Sequence, residues 1–261
     1  MTTSIRNATA QDFAEIYCWL EAEEAKYLAC SEAGNRKTIR GFFSNVDVIE
    51  NAFKDKDLRV MAVDGRVVSF MAYGLTTGGV SETRLDERCK GYAKELVQDA
   101  LRTAKENGKN ALYIQCAPET SIPFWLKMGF RQYHLESSNE SYASHVICRN
   151  FGLPDGGNPR NVRIQMFASE AKYNHDLSHP VMDSRLVGYS FGTKDVSLPQ
   201  RVVFDARGLV PDNPHNAMVR IEVDDRELQF DRLRELNGGV ERDGAGVHYI
   251  DIVRPRGISG D

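Results

Sequence analysis

The chain of 261 residues has 41% hydrophobic residues, and its 33 basic and 37 acidic groups give a net charge of −4 at pH 7. This length is enough for one large domain or two modest ones, each with a buried core. The balanced charge disfavours nucleic acid as a partner, and the sequence has neither an apolar leader nor a run of about 18 apolar residues, so no membrane association is expected. We therefore expect a cytoplasmic globular protein.

The chain begins with a predicted strand that ends in a helix cap. Ile5 to Thr9 favour a strand, and Thr9-x-x-Asp12 has the spacing of a capping box at the start of a helix. A second amphipathic helix is predicted around residues 46–53. Two strands are then predicted, at residues 58–63 and 67–73. Asp64-Gly65 joins them, and this pair of residues predicts a hairpin.

The stretch from residue 80 to residue 116 predicts a strand, a turn, a helix and a second strand, which together make a β-α-β unit. The turn places Arg88, Lys90 and Gly91 at the mouth of the helix, which Gly108 ends. A helix start carries unpaired N–H groups and a positive dipole end, so this turn can hold phosphate.

Two further strands, at 131–136 and 142–148, are expected to complete a sheet of about seven strands. Residues 151–160 are dense in glycine and proline and predict a linker between a first domain, 1–150, and a second, 161–261. The second has strand-like runs separated by turns and one predicted helix at 230–236. The predicted fold class is α/β with a mixed sheet, followed by a smaller, mostly antiparallel β domain.

Residues 1–150 resemble the GNAT superfamily of N-acetyltransferases. The family's (Q/R)-x-x-G-x-(G/A) motif between strand and helix is matched by Arg88, Gly91 and Ala93, and its short helix ending in Gly-Phe is matched by Gly129-Phe130. The resemblance implies an acyl-CoA fold, acetyl-CoA as co-substrate, and direct transfer of an acetyl group to a primary amine in a ternary complex. The class of the amine-bearing acceptor is left open.

The resemblance also assigns residues to the cofactor. It places the pyrophosphate over the backbone of residues 89–93, with charge from Arg88 and Lys90, and gives the thioester oxygen an N–H donor among residues 83–85. The candidate cofactor-binding residues are Thr83, Arg84, Leu85, Arg88, Cys89, Lys90, Gly91, Tyr92, Ala93, Lys94 and Trp125.

Proton transfer is where the sequence departs from the family. Many members carry a tyrosine, credited with protonating the CoA thiolate, at the position of Trp125, whose indole is a donor only. Tyr133 and Ser121 are the candidate replacements. Glu82 is the candidate general base, because a carboxylate on the fourth strand can take the proton of an amine; the alternative is a solvated edge-strand glutamate.

Two other functions remain open at this stage. A non-catalytic acyl-CoA-binding or interaction module would explain Trp125, and the main function could instead lie in the second domain. That domain is also the candidate surface for a homodimer or a protein partner.

No metal is expected. The histidines of the second domain, His175, His179, His215 and His248, and Asp176 stand among turn residues and are interpreted as loop positions. Arg201, Arg207 and Arg220 could pair with acidic ligands but are more simply part of a solvated sheet surface.

The cysteines favour the same view. Cys18, Cys30, Cys89, Cys116 and Cys148 are odd in number and far apart, unlike a disulfide framework or a zinc site, so reduced thiols are expected. Cys116 ends a predicted strand and is expected to be a core residue rather than a nucleophile.

Overall fold

A computed structural model of the chain describes residues 2–30, 45–72, 80–116, 118–135, 140–168, 179–211 and 213–255, with the side chains of 27–30 left aside. These residues form two compact units. The first contains residues 1–107 and 112–129, and the second contains residues 108–111 and 130–261. The α/β class followed by an antiparallel β region is therefore confirmed.

The first unit holds a four-stranded antiparallel sheet in the order β1-β2-β3-β4. Its strands are β1 (Thr3–Asn7), β2 (Leu58–Val63), β3 (Arg66–Ala72) and β4 (Val80–Thr83). Its helices are α1 (Ala10–Cys30), α2 (Val46–Lys54), α3 (Tyr92–Glu106) and α4 (Ile122–Lys127), and β5 (Ala111–Gln115) follows α3. Tyr73, the predicted end of the third strand, lies outside the described residues.

The local signals of the first unit are borne out. The N–H of Thr9 donates to Asp12 Oδ2 at 2.8 Å, and the N–H of Asp12 donates to Thr9 Oγ1 at 3.2 Å, which is the reciprocal bonding of a capping box. The turn between β2 and β3 has Asp64 at φ 49° and Gly65 at φ 85°, as a two-residue hairpin requires.

Helices cover the sheet of the first unit. Residues from α1, α2, β2 and β3 share one buried apolar cluster, whose members include Ile16, Leu20, Ile49, Val60 and Phe70. Neighbouring positions of β2 point to opposite faces. Arg59, next to Val60, pairs with the buried Asp99 of α3 at 3.0 Å, so α3 covers the face opposite to that cluster.

The strand β4 lies at the edge of its sheet, where it pairs only with β3, and among the described residues β5 forms no ladder with it. The strands expected from the sequence are present, but in the described part of the chain they do not form one continuous ladder, because β4 and β5 are not paired with each other. Among the described residues no strand pairs with the side of β4 that faces away from β3.

The second unit is dominated by a seven-stranded antiparallel sheet in the order β12-β11-β8-β9-β10-β14-β13. These strands are β8 (Asn158–Phe167), β9 (Met182–Ser190), β10 (Val196–Phe204), β11 (Met218–Val223), β12 (Arg226–Arg232), β13 (Val240–Arg242) and β14 (His248–Val253). The short helix α5 (Ala206–Leu209) follows β10, and β6 (Arg131–His134) pairs antiparallel with β7 (Ser141–Val146). One apolar cluster, including Ile164, Phe204, Val219 and Ile250, is buried in this unit.

The prediction of a helix at residues 230–236 is wrong. Residues 226–232 form β12, which pairs with β11 across a turn at Asp224 and Asp225, and only a single 3-10 turn, Leu233–Glu235, follows. The spacing of Phe230, Leu233 and Leu236 fits a helix, but the ladder with β11 satisfies the backbone of this segment instead.

The two units divide earlier in the chain than the predicted linker. The Ser144 hydroxyl donates to Asp205 at 2.6 Å, the Phe151 N–H donates to the Pro199 carbonyl at 2.8 Å, and β8 already begins inside the predicted linker, at Asn158. These bonds tie β7 and the following residues to β10 and α5. The boundary at residues 151–160 stays a prediction about where the chain can be cut.

Candidate functional site

The turn before α3 has an unusual backbone. Cys89 has φ 64°, and Gly91, the N-cap of α3, has φ 93° and ψ −6°. Glycine adopts this left-handed conformation without the steric cost that a Cβ brings. A Cβ built on Gly91 would meet no atom within 4 Å, so the space beside this glycine is open.

The same turn presents a set of unpaired backbone donors. The first helical bond runs from the Glu95 N–H to the Gly91 carbonyl at 3.2 Å. Within the part of the chain that the structure describes, the N–H groups of residues 89–94 have no protein partner. Together with the dipole of the 15-residue α3, these donors make a site that favours an anion.

The basic side chains of the turn are already paired with carboxylates. Arg88 Nη2 lies 2.8 Å from Glu82 Oε1, and Arg88 Nε donates to the Thr83 carbonyl at 3.2 Å. Lys90 Nζ lies 2.8 Å from Glu87 Oε2, and this hydrogen bond raises the pKa of Lys90. Both cations are about half exposed, so they are accessible to a ligand at the helix start.

Glu82 is buried, with 8% of its side chain exposed. Its Oε1 accepts hydrogen bonds from Arg88 and from the N–H of Thr83, the latter at 3.0 Å. Burial raises the pKa of Glu82, and the bonds from Thr83 and Arg88 oppose that rise only in part. A buried carboxylate with a raised pKa on the edge strand is suited to take a proton.

The three backbone N–H groups expected to serve the thioester oxygen, those of residues 83–85, differ in their hydrogen-bond partners. The Thr83 N–H is held by Glu82, and the Arg84 N–H donates to the Val68 carbonyl at 3.0 Å. The Leu85 N–H has no partner within the described residues. The Arg84 side chain pairs with Glu15 at 2.8 Å and lies 4.5 Å from the centre of the Trp19 ring, so it holds β4 against α1.

The three aromatic and hydroxyl candidates lie in different surroundings. Trp125 is buried in α4, with its ring edge to face with Phe124. Ser121 is the N-cap of α4, and its buried Oγ has no hydrogen-bond partner within the described residues. Tyr133 belongs to the second unit, where its ring stacks on Tyr142 at 5.6 Å. Ser121 and Trp125 therefore belong to the same helix, as its N-cap and an interior residue, and Tyr133 belongs to β6.

The remaining candidates have ordinary environments. Cys116 is buried and its pKa is raised by burial, which disfavours a thiolate. Arg201 pairs with Asp251 at 2.9 Å, and Arg220 pairs with Glu227 at 3.2 Å between the rings of Phe167 and Phe230.

The second unit shows no arrangement of metal ligands where it is described. His175 and Asp176 lie outside the described residues, and burial lowers the pKa of His248. Among the residues with described positions, no three of His, Cys, Asp and Glu come together as a metal site. No helix of the described segments is long and apolar enough to cross a membrane.

The segment that carries this turn matches a known family. Residues 57–130 match the model described as the acetyltransferase (GNAT) family. These residues form a GNAT acetyltransferase domain. The match spans β2 to α4, so it contains the edge strand, the turn with Gly91 and the buried Glu82, and it supports acetyl transfer from an acyl-CoA as the general chemistry of the first unit.

Solved structures similar to this chain are N-acetyltransferases. One from Staphylococcus aureus Mu50 is 18% identical, covers 56% of this chain and 99% of its own, and has a TM-score of 0.40. The PaiA N-acetyltransferase of Thermoplasma acidophilum, in complex with coenzyme A, is 15% identical over 56% and 99%, with a TM-score of 0.41. A GNAT acetyltransferase of Listeria monocytogenes 4b F2365 is 12% identical over 55% and 94%, with a TM-score of 0.42. No curated protein matches the chain.

Sequence reasoning did not find the Glu82–Arg88 pair, although it named both residues. Arg88 was assigned to phosphate and Glu82 to the acceptor amine, six positions apart in the chain. No local pattern predicts that the guanidinium turns back from the helix start to the edge strand, because this depends on the fold of the turn itself.

Proposed function

We propose that this protein is an acyl-CoA-dependent N-acetyltransferase that moves the acetyl group of acetyl-CoA directly to a primary amine. The observation that supports it is the turn at residues 88–94, where unpaired N–H groups and two half-exposed cations meet inside a segment that matches the GNAT family. Acetyl-CoA supplies the thioester whose acetyl group is transferred.

The residues of the turn fit the diphosphate of this co-substrate. The N–H groups of residues 89–94 lie at the start of α3, where the space beside Gly91 is open, and Arg88, Lys90 and the exposed Lys94 add positive charge to the same turn. Bound phosphate would complete hydrogen bonds that the protein leaves unmade. The edge of β4 supplies further backbone donors, of which the N–H groups of Thr83 and Leu85 are the candidates for the thioester oxygen.

In this proposal Glu82 is the general base. The amine nitrogen forms its bond to the acetyl carbon as the carbon–sulfur bond breaks, and the proton of the amine passes to Glu82. The raised pKa of Glu82 makes it a stronger base than a solvated glutamate.

The thiolate that leaves needs a proton or a donor, and the indole of Trp125 does not supply a proton. Ser121 carries an unpaired buried hydroxyl at the start of α4 and is the candidate donor in the first unit, with Tyr133 as the alternative. A CoA thiolate leaves readily, so loss of one acid costs on the order of 100-fold in rate rather than all turnover.

The test is a calorimetric titration of the full chain with acetyl-CoA, followed by a thiol-release assay against a panel of amines, peptides and aminoglycosides. Binding in the micromolar range together with thiol release that depends on one class of amine would support the proposal. A folded protein that does not bind acetyl-CoA would contradict it.

The second candidate function is a non-catalytic acyl-CoA-binding module. It is favoured by Trp125, buried at the position where the family carries its acid. Tight binding of acetyl-CoA with no thiol release for any acceptor would select this function, and a homodimer or protein partner of the second unit would then be the next object of study.

A further inference from the structure

One oxygen atom in the first unit accepts hydrogen bonds from two groups that acyl-CoA would use. Glu82 Oε1 lies 2.8 Å from Arg88 Nη2 and 3.0 Å from the Thr83 N. Arg88 belongs to the predicted phosphate turn, and the Thr83 N–H belongs to the edge strand that is expected to face the thioester. The carboxylate of Glu82 therefore binds one donor of the phosphate turn and one donor of the edge strand.

The two partners of this ion pair differ in their freedom to move. The Glu82 side chain is 8% exposed, whereas the Arg88 side chain is 47% exposed. Arg88 is flanked by the unpaired N–H groups of the turn, so an anion bound there competes directly for its guanidinium. Arg88 can turn toward that anion while Glu82 stays in its buried position on β4.

Departure of Arg88 leaves a buried carboxylate without a cation. Of the charged groups of the described residues that act on Glu82, Arg88 is the cation, and Glu23 of α1 carries the same sign as Glu82 and opposes its ionisation. Removal of the guanidinium therefore shifts Glu82 toward its protonated form. Loss of the single hydrogen bond from the Thr83 N–H would raise the pKa of Glu82 as well.

We propose, on the basis of the function proposed above, that Glu82 and Arg88 form an internal coupling. In the free protein Arg88 favours the ionised form of Glu82 and occupies its Oε1. Phosphate in the turn draws Arg88 away and raises the pKa of Glu82, which makes its carboxylate a stronger base at pH values above that pKa. Arg88 is thus a positioning residue for Glu82 as well as a phosphate ligand, and acyl-CoA prepares the base before the amine arrives.

The proton count of CoA binding tests this coupling without any turnover. CoA is titrated into the full chain by calorimetry in pairs of buffers with different ionisation enthalpies, between about pH 5 and 8. Because binding raises the pKa of Glu82 from its value in the free protein, the wild type should take up a fraction of one proton per CoA at pH values between the free and bound pKa. This uptake should vanish at higher pH, where Glu82 is ionised in both states.

Three variants make the result specific. Glu82→Gln should bind CoA but lose the uptake that the wild type shows. Arg88→Gln should show reduced uptake although Glu82 is present, because Glu82 already lacks its cation in the free protein. Glu87→Gln is the matched control: it removes a carboxylate of the same turn that pairs with Lys90, so the uptake should remain.

The outcomes separate this proposal from the one on which it rests. A folded wild type that does not bind CoA overturns both. CoA binding with equal proton uptake in the wild type and in Glu82→Gln overturns the coupling alone and leaves the acetyltransferase proposal standing. Arg88→Gln keeps the test valid if Glu82→Gln fails to fold.

Discussion

Gly91 is the N-cap of α3 and has φ 93°, and the space beside it is open. A side chain here therefore acts in two separable ways. It strains the backbone, because an L-residue in this region costs about 1 kcal/mol or more, and it enters the space where the proposed phosphates lie.

We predict that Gly91→Glu abolishes CoA binding while the protein stays folded. Gly65→Glu is the matched control, since Gly65 has φ 85°, an equally open surrounding and a place in the hairpin of β2 and β3. Both variants add one negative charge and the same backbone strain, so their melting temperatures should fall alike. Calorimetry should find CoA binding in Gly65→Glu and none in Gly91→Glu; equal binding by both would refute the phosphate turn.

For single residues, the sequence predicted a structural role correctly where that role depends on neighbours close in the chain. Gly91 and the pair Thr9 and Asp12 were predicted because turn and cap geometry depend on spacings of three or four residues. The pairing of Arg84 with Glu15 joins residues 69 positions apart, and the partner of a guanidinium at that separation is decided by tertiary packing.

The start of α1 shows how one carboxylate secures an element. Asp12 accepts from the N–H and hydroxyl of Thr9 and forms an ion pair with Arg6, and its pKa is lowered to about 2 from an ordinary value of 3.8. The side-chain hydrogen bond from Arg6 is the largest cause. Because the pKa is depressed in the folded state, the stabilisation is present at neutral pH and is lost as the pH falls from about 4 toward 2.

We therefore expect Asp12→Asn to lower the free energy of unfolding by about 2 kcal/mol at pH 7. Asp47→Asn is the control, because Asp47 is an exposed residue in the first turn of α2 and its replacement should cost only about 0.3 kcal/mol. Urea unfolding at a series of pH values should show the Asp12 difference shrinking below pH 4. A difference that is constant down to pH 2 would contradict the assignment.

The hairpin of β11 and β12 turns at two aspartates with φ 49° and 61°. The side chain of Asp224 offsets the cost of its left-handed backbone conformation. It accepts a hydrogen bond from the Asn161 N–H at 2.9 Å and pairs with Arg160. Asp225→Gly should raise the free energy of unfolding by about 0.5 kcal/mol, whereas Asp224→Gly should lower it. Chemical unfolding of the two variants checks the opposite signs, and stabilisation by Asp224→Gly would show that its hydrogen bonds contribute little.

This hairpin also explains why one element was predicted incorrectly. Asn-Gly and Asp-Gly are the usual sequence signals of such a turn, and Asp-Asp lacks the glycine. Without a visible turn, the apolar spacing of Phe230, Leu233 and Leu236 was interpreted as a helix. The strands β8, β9, β10, β11 and β14 were predicted because their runs of β-branched and aromatic residues stand between turn residues, whereas the three-residue β13 was not.

The whole chain divides into units that are not continuous in sequence, since residues 108–111 belong to the second unit. Within that unit, Asn110 donates to Asp243 at 3.1 Å and accepts from Arg201 at 2.8 Å. Composition revealed the glycine-rich stretch after residue 151, but it carries no information on such long-range partners, so the division of the fold could not be predicted from it.

For a chain truncated after Asn150, we predict retained CoA binding together with loss of order around β7. The phosphate turn lies wholly in the first unit, while β7 loses Asp205 as the acceptor for Ser144. Hydrogen exchange should be fast at residues 141–150 of the truncated chain and slow in the full chain. Equal protection in both would mean that residues 130–150 are stable without the large sheet, as the sequence boundary at 151–160 implies.

The strand β14 is made last among the strands of the second unit, yet it lies inside the sheet between β10 and β13. On the ribosome, β10 must therefore wait with an open edge until residues 248–253 have emerged, and an open edge is a template for pairing with another nascent chain. Synthesis of this protein thus passes through a stage in which the large sheet of the second unit has an open edge at β10, and this edge is protected only when β14 has been made.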